Sequence, residues 1–110
     1  MKQAALLDLR FAALSDATRR GIVERLARGE TTVGELAKPF DITLPAISKH
    51  IAVLENAGLV TRWRDGRVHR CRLDAKALRA PTSWLDRTQA DWEKRLDRME
   101  KMFADEKGER

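Results

Sequence analysis

The sequence predicts a mainly α-helical domain with one small β-hairpin, in which four helices precede the hairpin and one long helix follows it. Three observations support this fold class. Apolar residues recur at helical spacing along most of the chain, an Asp-Gly pair separates two short extended segments in its middle, and the last apolar stripe is the longest. A chain of 110 residues fits a single domain, which we expect to cover residues 1–110.

The first three helices are predicted from spacing and capping residues. Helix one covers residues 4–14, where apolar side chains recur three and four positions apart (Ala4, Leu7, Phe11 and Leu14). Ser15 or Asp16 can cap a second helix over residues 17–28. The segment Thr32-Val33-Gly34-Glu35 is a capping box, so a third helix begins there. It ends near Lys38, because proline at position 39 disfavours helical geometry in the residue before it.

A fourth helix is predicted over residues 44–56. Thr43 can cap it, Pro45 lies in its first turn, where a missing N–H costs nothing, and Gly58 ends it. Its buried stripe consists of Ile47, Ile51 and Leu54. Two short helices joined by so brief a turn form a helix-turn-helix unit, which also occurs in many enzymes. The two helices alone therefore leave the function open.

The segment after the fourth helix predicts a basic β-hairpin. Residues 59–64 and 67–73 flank Asp65-Gly66, which reads as a two-residue turn. In that register Arg64 pairs with Arg67 and Arg62 with His69, so that three arginines lie near the tip on one face. A basic hairpin directly after a helix-turn-helix has the properties of a wing, which follows phosphates or enters the minor groove. The predicted fold is therefore a winged helix-turn-helix, with residues 15–80 as its core.

The distribution of charge favours a nucleic-acid partner. The net charge is +5 and the pI is about 9.9. Residues 43–73 contain six Lys or Arg against two acidic residues, whereas residues 84–110 contain seven basic and eight acidic ones. The positive excess thus lies in the helix-turn-helix and wing, as expected of a phosphate-facing surface.

A long final helix is predicted over residues 83–104, with Ser83 and Asp86 as its capping box and residues 105–110 as a frayed tail. From residue 84 to 104 it would measure about 31 Å. Its continuous apolar stripe exceeds what a small core needs, although part of it must cover the core. We therefore expect a dimer interface that this stripe forms with the first helix, residues 1–14 (Leu7, Phe11, Leu85, Trp92, Leu96, Met99 and Phe103).

Three segments carry a resemblance to a known family: ALSDATRRGIVERL, TTVGELAKPFDITLPAISKHIAVLENAGLV and the hairpin that ends in CRLD. Together they resemble the ArsR (arsenic-repressor) family of winged-helix transcriptional regulators, over residues 7–78 in order and without a gap. The segment WLDRTQADWEKRLDRME is similar to the last helix of a branch that lacks metal-binding motifs. The resemblance implies a homodimer held by the first and last helices, and operator binding that usually represses transcription.

The resemblance also implies which residues face DNA. It assigns DNA contacts to the start of the fourth helix (Thr43, Pro45, Ala46, Ser48, Lys49 and His50). The wing adds Arg62, Arg64 and Arg67. The chemistry agrees, because a hydroxyl can bond to base edges, a small side chain can meet a thymine methyl, and basic groups reach phosphates or purines. The alternative for His50 is a solvent-facing or cap-bound histidine. Leu44 departs from the family, since many relatives have a polar residue such as Gln there.

Metal sensing and catalysis find no support in the sequence. The third helix lacks Cys and His and the last helix lacks His, so the usual ligand sets of the family are missing and we expect no metal and no cofactor. The sequence has neither a nucleophile-base-acid set nor a Gly-rich phosphate loop, so it does not suggest an enzyme. Cys71 is the only cysteine, so an internal disulfide is impossible, and we interpret it as a small buried hydrophobe.

We therefore predict a sequence-specific DNA-binding regulator that acts as a homodimeric repressor on an inverted-repeat operator in double-stranded DNA. Without a signal peptide or a membrane span, a cytoplasmic location and no membrane partner are expected. The sequence does not identify the effector. Two alternatives stay open: a winged-helix module that binds protein through the aromatic last helix, and a thiol-responsive DNA-binding regulator that acts through Cys71.

Overall fold

The computed structural model describes residues 3–108 and confirms the predicted fold class of helices with a small antiparallel sheet. The elements, in chain order, are α1 (Gln3–Ala13), α2 (Ala17–Leu26), β1 (Thr31–Thr32), α3 (Val33–Ala37), a 3-10 turn (Lys38–Phe40), α4 (Leu44–Asn56), β2 (Val60–Asp65), β3 (Val68–Leu73), a second 3-10 turn (Ala75–Leu78) and α5 (Arg79–Gly108). They form two compact units, which meet in sequence between Arg79 and Ala80.

The core of the first unit contains the apolar stripes that the sequence predicts. Its largest fully buried side chains come from α2, α3, α4, the turn before β2, and β3 (Ile22, Leu36, Ile47, Ile51, Leu54, Leu59 and Cys71). Asp16 caps α2, and Gly58, with a φ of +73°, ends α4. The amide of Leu59 donates to the Leu54 carbonyl and the amide of Gly58 to that of Glu55, both at 2.9 Å. These two bonds form a Schellman motif, which fixes the direction in which the chain enters the wing.

The predicted hairpin register is wrong, because each residue of β2 pairs with a residue two positions further along β3 than expected. Asp65 pairs with Val68 and Arg64 with His69, so the two-residue turn consists of Gly66 and Arg67 rather than Asp65 and Gly66. The physical reason is that, within the hairpin, only Gly66 has a positive φ, +64°, which fits a type II′ turn with glycine at the first turn position. Arg67 therefore lies in the turn itself.

A third strand was not predicted. The order in the sheet is β1-β3-β2, and Thr31 of β1 pairs with Cys71 of β3. The register also places Arg62 opposite Cys71, three positions before the end of β2, rather than opposite His69. Arg62 and Arg64 share the strand face of the buried Cys71, whereas Trp63 lies on the other face. The expectation of three arginines together at the tip is therefore wrong.

Several helix ends also differ from the prediction. The chain continues past Lys38 in a 3-10 turn that contains Pro39 and ends at Asp41, whose φ is +51°. Helix α5 begins at Arg79, not after Ser83, because a proline at position 81 falls in the first turn, where its missing N–H breaks no helical bond. The helix also continues past residue 104 to Gly108. Residues 1–2, in the segment 1–14 that is expected in the dimer interface, and residues 109–110, in the expected tail, lie outside the described residues.

Candidate nucleic-acid interface

The amino-terminal end of α4 presents most of its side chains away from the core. The Thr43 hydroxyl accepts a hydrogen bond from the Ala46 amide at 3.3 Å and so caps the helix. Because Ile47 is fully buried, the helix turns Pro45 and Lys49 outward, and both are exposed. Leu44, which stands where many members of the family have a polar residue, is 58% exposed. This end of α4 can therefore enter a groove of DNA without disturbing the core.

His50 is half-buried and is held by the start of α2. Its Nδ1 lies 3.3 Å from Nη1 of Arg19 and 3.8 Å from Oδ2 of Asp16. Arg19 also donates from Nε to the Ala13 carbonyl at 2.7 Å, which fixes its guanidinium. Because a guanidinium has only hydrogens to give, this contact favours a proton on the other ring nitrogen, Nε2. His50 is thus not simply solvent-facing, and its position beside Asp16, the cap of α2, agrees with the cap-bound alternative.

The carboxylate of Asp16 completes this cluster. It accepts a hydrogen bond from the Arg19 amide at 3.0 Å, and this bond, together with the charge of Arg19, lowers the pKa of Asp16 below its usual value. Asp16 therefore stays ionised as the cap of α2. From the sequence Asp16 was predicted only as a possible cap, because its proximity to α4 depends on tertiary packing.

Arg62 connects the wing to α4. Its Nη1 donates to Oγ of Ser48 at 2.8 Å, and its Nη2 lies 2.9 Å from Oε1 of Glu55. The side chains of Arg62 and Glu55 are 25% and 31% exposed, so the pair is largely withdrawn from solvent. Sequence reasoning missed this link, since it depends on a hairpin register that the Asp-Gly signal did not predict.

The tip of the wing has positive charge that no acid neutralises. Among the described residues, no carboxylate forms an ion pair with Lys49, Arg64 or Arg67. Arg64 donates to the Gly66 carbonyl at 3.2 Å, which bends its side chain toward the turn. The other wing arginines have partners, since Arg70 lies 3.6 Å from a carboxylate oxygen of Glu30 and Arg72 lies over Trp63. Of the cations of α4 and the hairpin, those without an acidic or aromatic partner among the described residues are therefore Lys49, Arg64 and Arg67.

An open cleft of about 710 Å³ separates α4 from the wing. Its walls combine apolar groups with hydroxyl and basic groups from α3, α4 and the hairpin (Thr32, Val33, Gly34, Leu44, Pro45, Ser48, Arg62, Arg67, Val68 and His69). Four of the predicted DNA-facing residues of α4 and the wing thus line one surface (Pro45, Ser48, Arg62 and Arg67). The exposed apolar groups Leu44 and Val68 were not predicted to belong to it, although exposed apolar residues beside basic ones suit contacts with sugars and thymine methyls.

Cys71 is fully buried between β1 and β2, and burial raises the pKa of its thiol to about 11. A protonated, inaccessible thiol reacts slowly, so this placement agrees with the structural interpretation and gives no support to the thiol-responsive alternative. In the described part of the chain, no group of three or more His, Cys, Asp or Glu side chains could hold a metal ion.

The second unit is the long helix α5. An apolar stripe along it is exposed, with Trp92 at 55%, Leu96 at 37% and Phe103 at 61%. Leu85 and Met99 lie in the same stripe, and the neighbouring Trp84 and Met102, which were not singled out in the sequence, are exposed as well. On α1, Leu7 and Phe11 are half-buried. None of the helices within residues 3–108 combines the length and the apolar character that a membrane span requires.

Comparison with known proteins shows which proteins the helix-turn-helix and wing are similar to. The profile of the helix-turn-helix domain family matches residues 14–62. The HTH-type transcriptional regulator Rv2034 of Mycobacterium tuberculosis is 45% identical over 73% of this chain and 75% of its own length. The transcriptional repressor SdpR of Bacillus subtilis is 35% identical over 68% of this chain and 83% of its own length.

Solved structures of similar fold are also transcriptional regulators or winged helix-turn-helix domains. The crystal structure of the ArsR family transcriptional regulator RHA00566 has a TM-score of 0.77 and 42% identity, and covers 84% of this chain and 95% of that one. The homodimeric winged helix-turn-helix DNA-binding domain of Mb0332 from Mycobacterium bovis has a TM-score of 0.62 and 30% identity, and covers 81% of this chain and 84% of that one. The fold, the exposed start of α4 and the basic wing define a winged helix-turn-helix, DNA-binding transcriptional regulator. The chain belongs to the ArsR family of these regulators.

Proposed function

We propose that this protein is a homodimeric repressor that reads an inverted-repeat operator through the amino-terminal end of α4. The observation that carries the proposal is the combination of an exposed helix start with unpaired positive charge beside it, at Lys49, Arg64 and Arg67. The residues that we assign to base and phosphate contacts are those of the sequence prediction (Thr43, Pro45, Ala46, Ser48, Lys49 and His50). The name of the related SdpR, a transcriptional repressor, supports repression rather than activation of transcription.

The wing adds affinity rather than sequence selectivity. Arg64 and Arg67 lie at the tip, where long cationic side chains reach phosphates or a narrow minor groove. Arg62, the third wing arginine of the sequence prediction, is held against α4 by Ser48 and Glu55, and its charge is opposed by that carboxylate. Most of the non-specific attraction therefore comes from the other two arginines and from Lys49.

The dimer is proposed to form through the apolar faces of α1 and α5. Support comes from the exposed stripe on α5 and from the related Mb0332 domain, which is described as homodimeric. Two copies of α4 related by a twofold axis enter successive major grooves about 34 Å apart, which requires an inverted repeat. The residues assigned to this interface are Leu7, Phe11, Leu85, Trp92, Leu96, Met99 and Phe103.

The setting that we propose is the bacterial cytoplasm, where the chain acts by occupying DNA and not by catalysis. The described relatives are named as regulators of transcription, a role that needs contact with chromosomal DNA. This proposal involves no metal or other cofactor.

Selection of bound sequences from a random pool of duplexes tests the proposal. We expect enrichment of one inverted repeat, and binding to it should fall by about 10³–10⁵ between 50 and 200 mM salt if the dimer neutralises about 6–10 phosphates. The variant Ser48→Ala/Lys49→Ala should lose at least about tenfold in affinity, since it removes one polar base reader and one cation.

The matched control is Lys76→Ala, which removes one positive charge from an exposed residue of the second 3-10 turn. It should bind the selected duplex like the wild type. Binding that is insensitive to salt, or an unchanged affinity of the double variant, would argue instead for the protein-interaction alternative.

A further inference from the structure

The contact between Arg62 and Ser48 has a defined direction. Arginine has hydrogens to donate and no lone pair to accept, so the Ser48 oxygen is the acceptor in the 2.8 Å bond from Nη1. The hydroxyl proton of Ser48 must then point to another group. Within residues 3–108, the bond from Arg62 is the one hydrogen bond recorded for Ser48 Oγ, so that proton has no protein acceptor.

The neighbouring cation changes what Ser48 can do. A positive group on the hydroxyl oxygen draws electron density from it, which weakens the oxygen as a second acceptor and strengthens its O–H as a donor. Ser48 lines the open cleft beside α4, so the free O–H lies at the surface that we assign to DNA. Without Arg62, a helical serine commonly turns its hydroxyl back to the carbonyl four residues earlier, here Leu44.

Arg62 itself is unlike the cations at the wing tip. Its side chain is 25% exposed and Glu55 opposes its charge at 2.9 Å, whereas Arg67 lies exposed in the turn without an acidic partner among the described residues. Its strand position is also fixed, because its backbone pairs with that of the buried Cys71. A neutralised, half-buried guanidinium releases few counterions on DNA binding.

We propose that Arg62 is a positioning residue that makes Ser48 a hydrogen-bond donor toward DNA, so that Ser48 selects an acceptor on a base edge in the major groove. This inference rests on the proposed function. The acceptors on that edge are N7 and O6 of guanine, N7 of adenine and O4 of thymine, whereas cytosine presents its amino donor. Ser48 therefore discriminates against cytosine at one position of each half-site.

The first experiment measures the salt dependence of operator binding for Arg62→Leu and for Arg67→Leu as the matched control. Each removed phosphate contact reduces the slope of log K against log salt by about one. Arg67→Leu should show that reduction. In Arg62→Leu the slope should differ from that of the wild type by less than about half of that reduction. A slope reduced equally in both variants would overturn the inference, because Arg62 would then be an ordinary phosphate contact.

The second experiment measures discrimination with a panel of duplexes that carry every base pair at each half-site position. Wild type should reject cytosine at one position by about three- to tenfold, the effect of one hydrogen bond. Ser48→Ala and Arg62→Leu should each remove that preference at the same position, and their double variant should do no more than either alone. A loss that is equal for all sequences, and that one neutral methylphosphonate reproduces, would mean that Ser48 donates to a phosphate and would overturn the assignment to a base.

Glu55→Gln keeps the inference testable if Arg62→Leu fails to fold, which circular dichroism would reveal. The amide oxygen still accepts from Arg62, but the guanidinium is no longer neutralised. The salt slope should steepen by about one while the preference against cytosine stays. An unchanged slope, or a lost preference, would contradict the inference. If the wild type itself selects no sequence, the proposed function falls and this inference with it; if the wild type binds and Arg62 behaves like Arg67, this inference alone fails.

Discussion

Arg10 Nε donates a hydrogen bond to the Ala57 carbonyl at 2.9 Å, which ties α1 to the end of α4 across 47 residues of sequence. The last carbonyls of a helix have no partner within it, and a cation is favoured there by the helix dipole. Arg10 thus satisfies one of them and complements the Schellman turn at Gly58. It also links the helix that we expect in the dimer to the helix that we expect to read DNA.

Replacing Arg10 tests the strength of this link. Arg10→Met keeps much of the aliphatic length but leaves the Ala57 carbonyl without its donor, and it should lower the free energy of unfolding by about 1.5–3 kcal/mol. Urea unfolding followed by circular dichroism measures this loss. Arg20→Met is the control, because Arg20 donates to the Leu14 carbonyl at 2.9 Å from an exposed position, where water can replace it. Equal losses in both variants would contradict a special role of the Arg10 bond.

Local signals in the sequence predicted most of the helices. The caps of α3 and α4 and the glycine that ends α4 act within a few residues, so the side chains that form them are visible in the sequence itself (Thr32, Thr43 and Gly58). The buried stripe of α4 followed from spacing alone, and all three of its members are fully buried. The assignment of individual residues to DNA or dimer contacts stays a prediction.

Features that depend on distant residues were missed or wrong. Strand β1 consists of Thr31 and Thr32 and exists because β3 pairs with it, which no local pattern indicates. The turn register depends on which residue takes the positive φ, and the Asp-Gly pair fitted two registers. The contact of Arg62 with Ser48 follows from that register, so it could not be found before the hairpin was placed.

Gly21 of α2 lies against the ring of Phe40. A Cβ at position 21 would lie 2.7 Å from the ring Cζ and 2.8 Å from Cε1, which is closer than such atoms approach. Gly21→Ala should therefore destabilise the domain by about 1–3 kcal/mol through overpacking, despite the helix propensity that alanine adds. Thermal unfolding measures the change.

The double variant Gly21→Ala/Phe40→Leu separates this contact from other causes. Leucine lacks the ring atoms that the new methyl group meets, so the double variant should be less unstable than the sum of the two single variants. Gly34→Ala is the control, because the nearest atom to its Cβ, Oγ1 of Thr32, is 3.9 Å away. Strict additivity of the two single effects would show that the ring does not limit the space at position 21.

The thiol of Cys71 should make stability fall in alkali. Burial raises its pKa from 9.0 to about 11, so the folded state holds the proton more tightly than the unfolded chain does. The resulting stability is present below pH 9 and is lost as the pH rises from 9 to 11. Over that window the difference between wild type and Cys71→Ala should shrink by about 1–3 kcal/mol. Urea unfolding at several pH values measures it.

Reaction of Cys71 with Ellman's reagent provides a second measurement. In the native protein at pH 8 the reaction should be slow, because both burial and the raised pKa keep the thiolate scarce, and it should become fast in urea. Rapid labelling of the folded protein that also released operator DNA would revive the thiol-responsive alternative. A difference between wild type and Cys71→Ala that did not change with pH would contradict the assigned cause of the pKa shift.

The exposed stripe of α5 predicts how dimerisation depends on single side chains. Trp92 and Phe103 are 55% and 61% exposed, and a fully buried aromatic side chain at an interface contributes several kcal/mol. Trp92→Ala and Phe103→Ala should therefore each weaken the dimer at least about tenfold, measured by sedimentation or light scattering over a range of concentrations. Glu93→Ala is the control, since it removes an exposed side chain next to Trp92 whose hydrogen-bond partner is Gln89 on the same helix.

Because two half-sites are bound together only by a dimer, the aromatic variants should also lose affinity for the full inverted repeat while their weak binding to a single half-site persists. A wild-type dimer in either aromatic variant would mean that the two copies meet through another face.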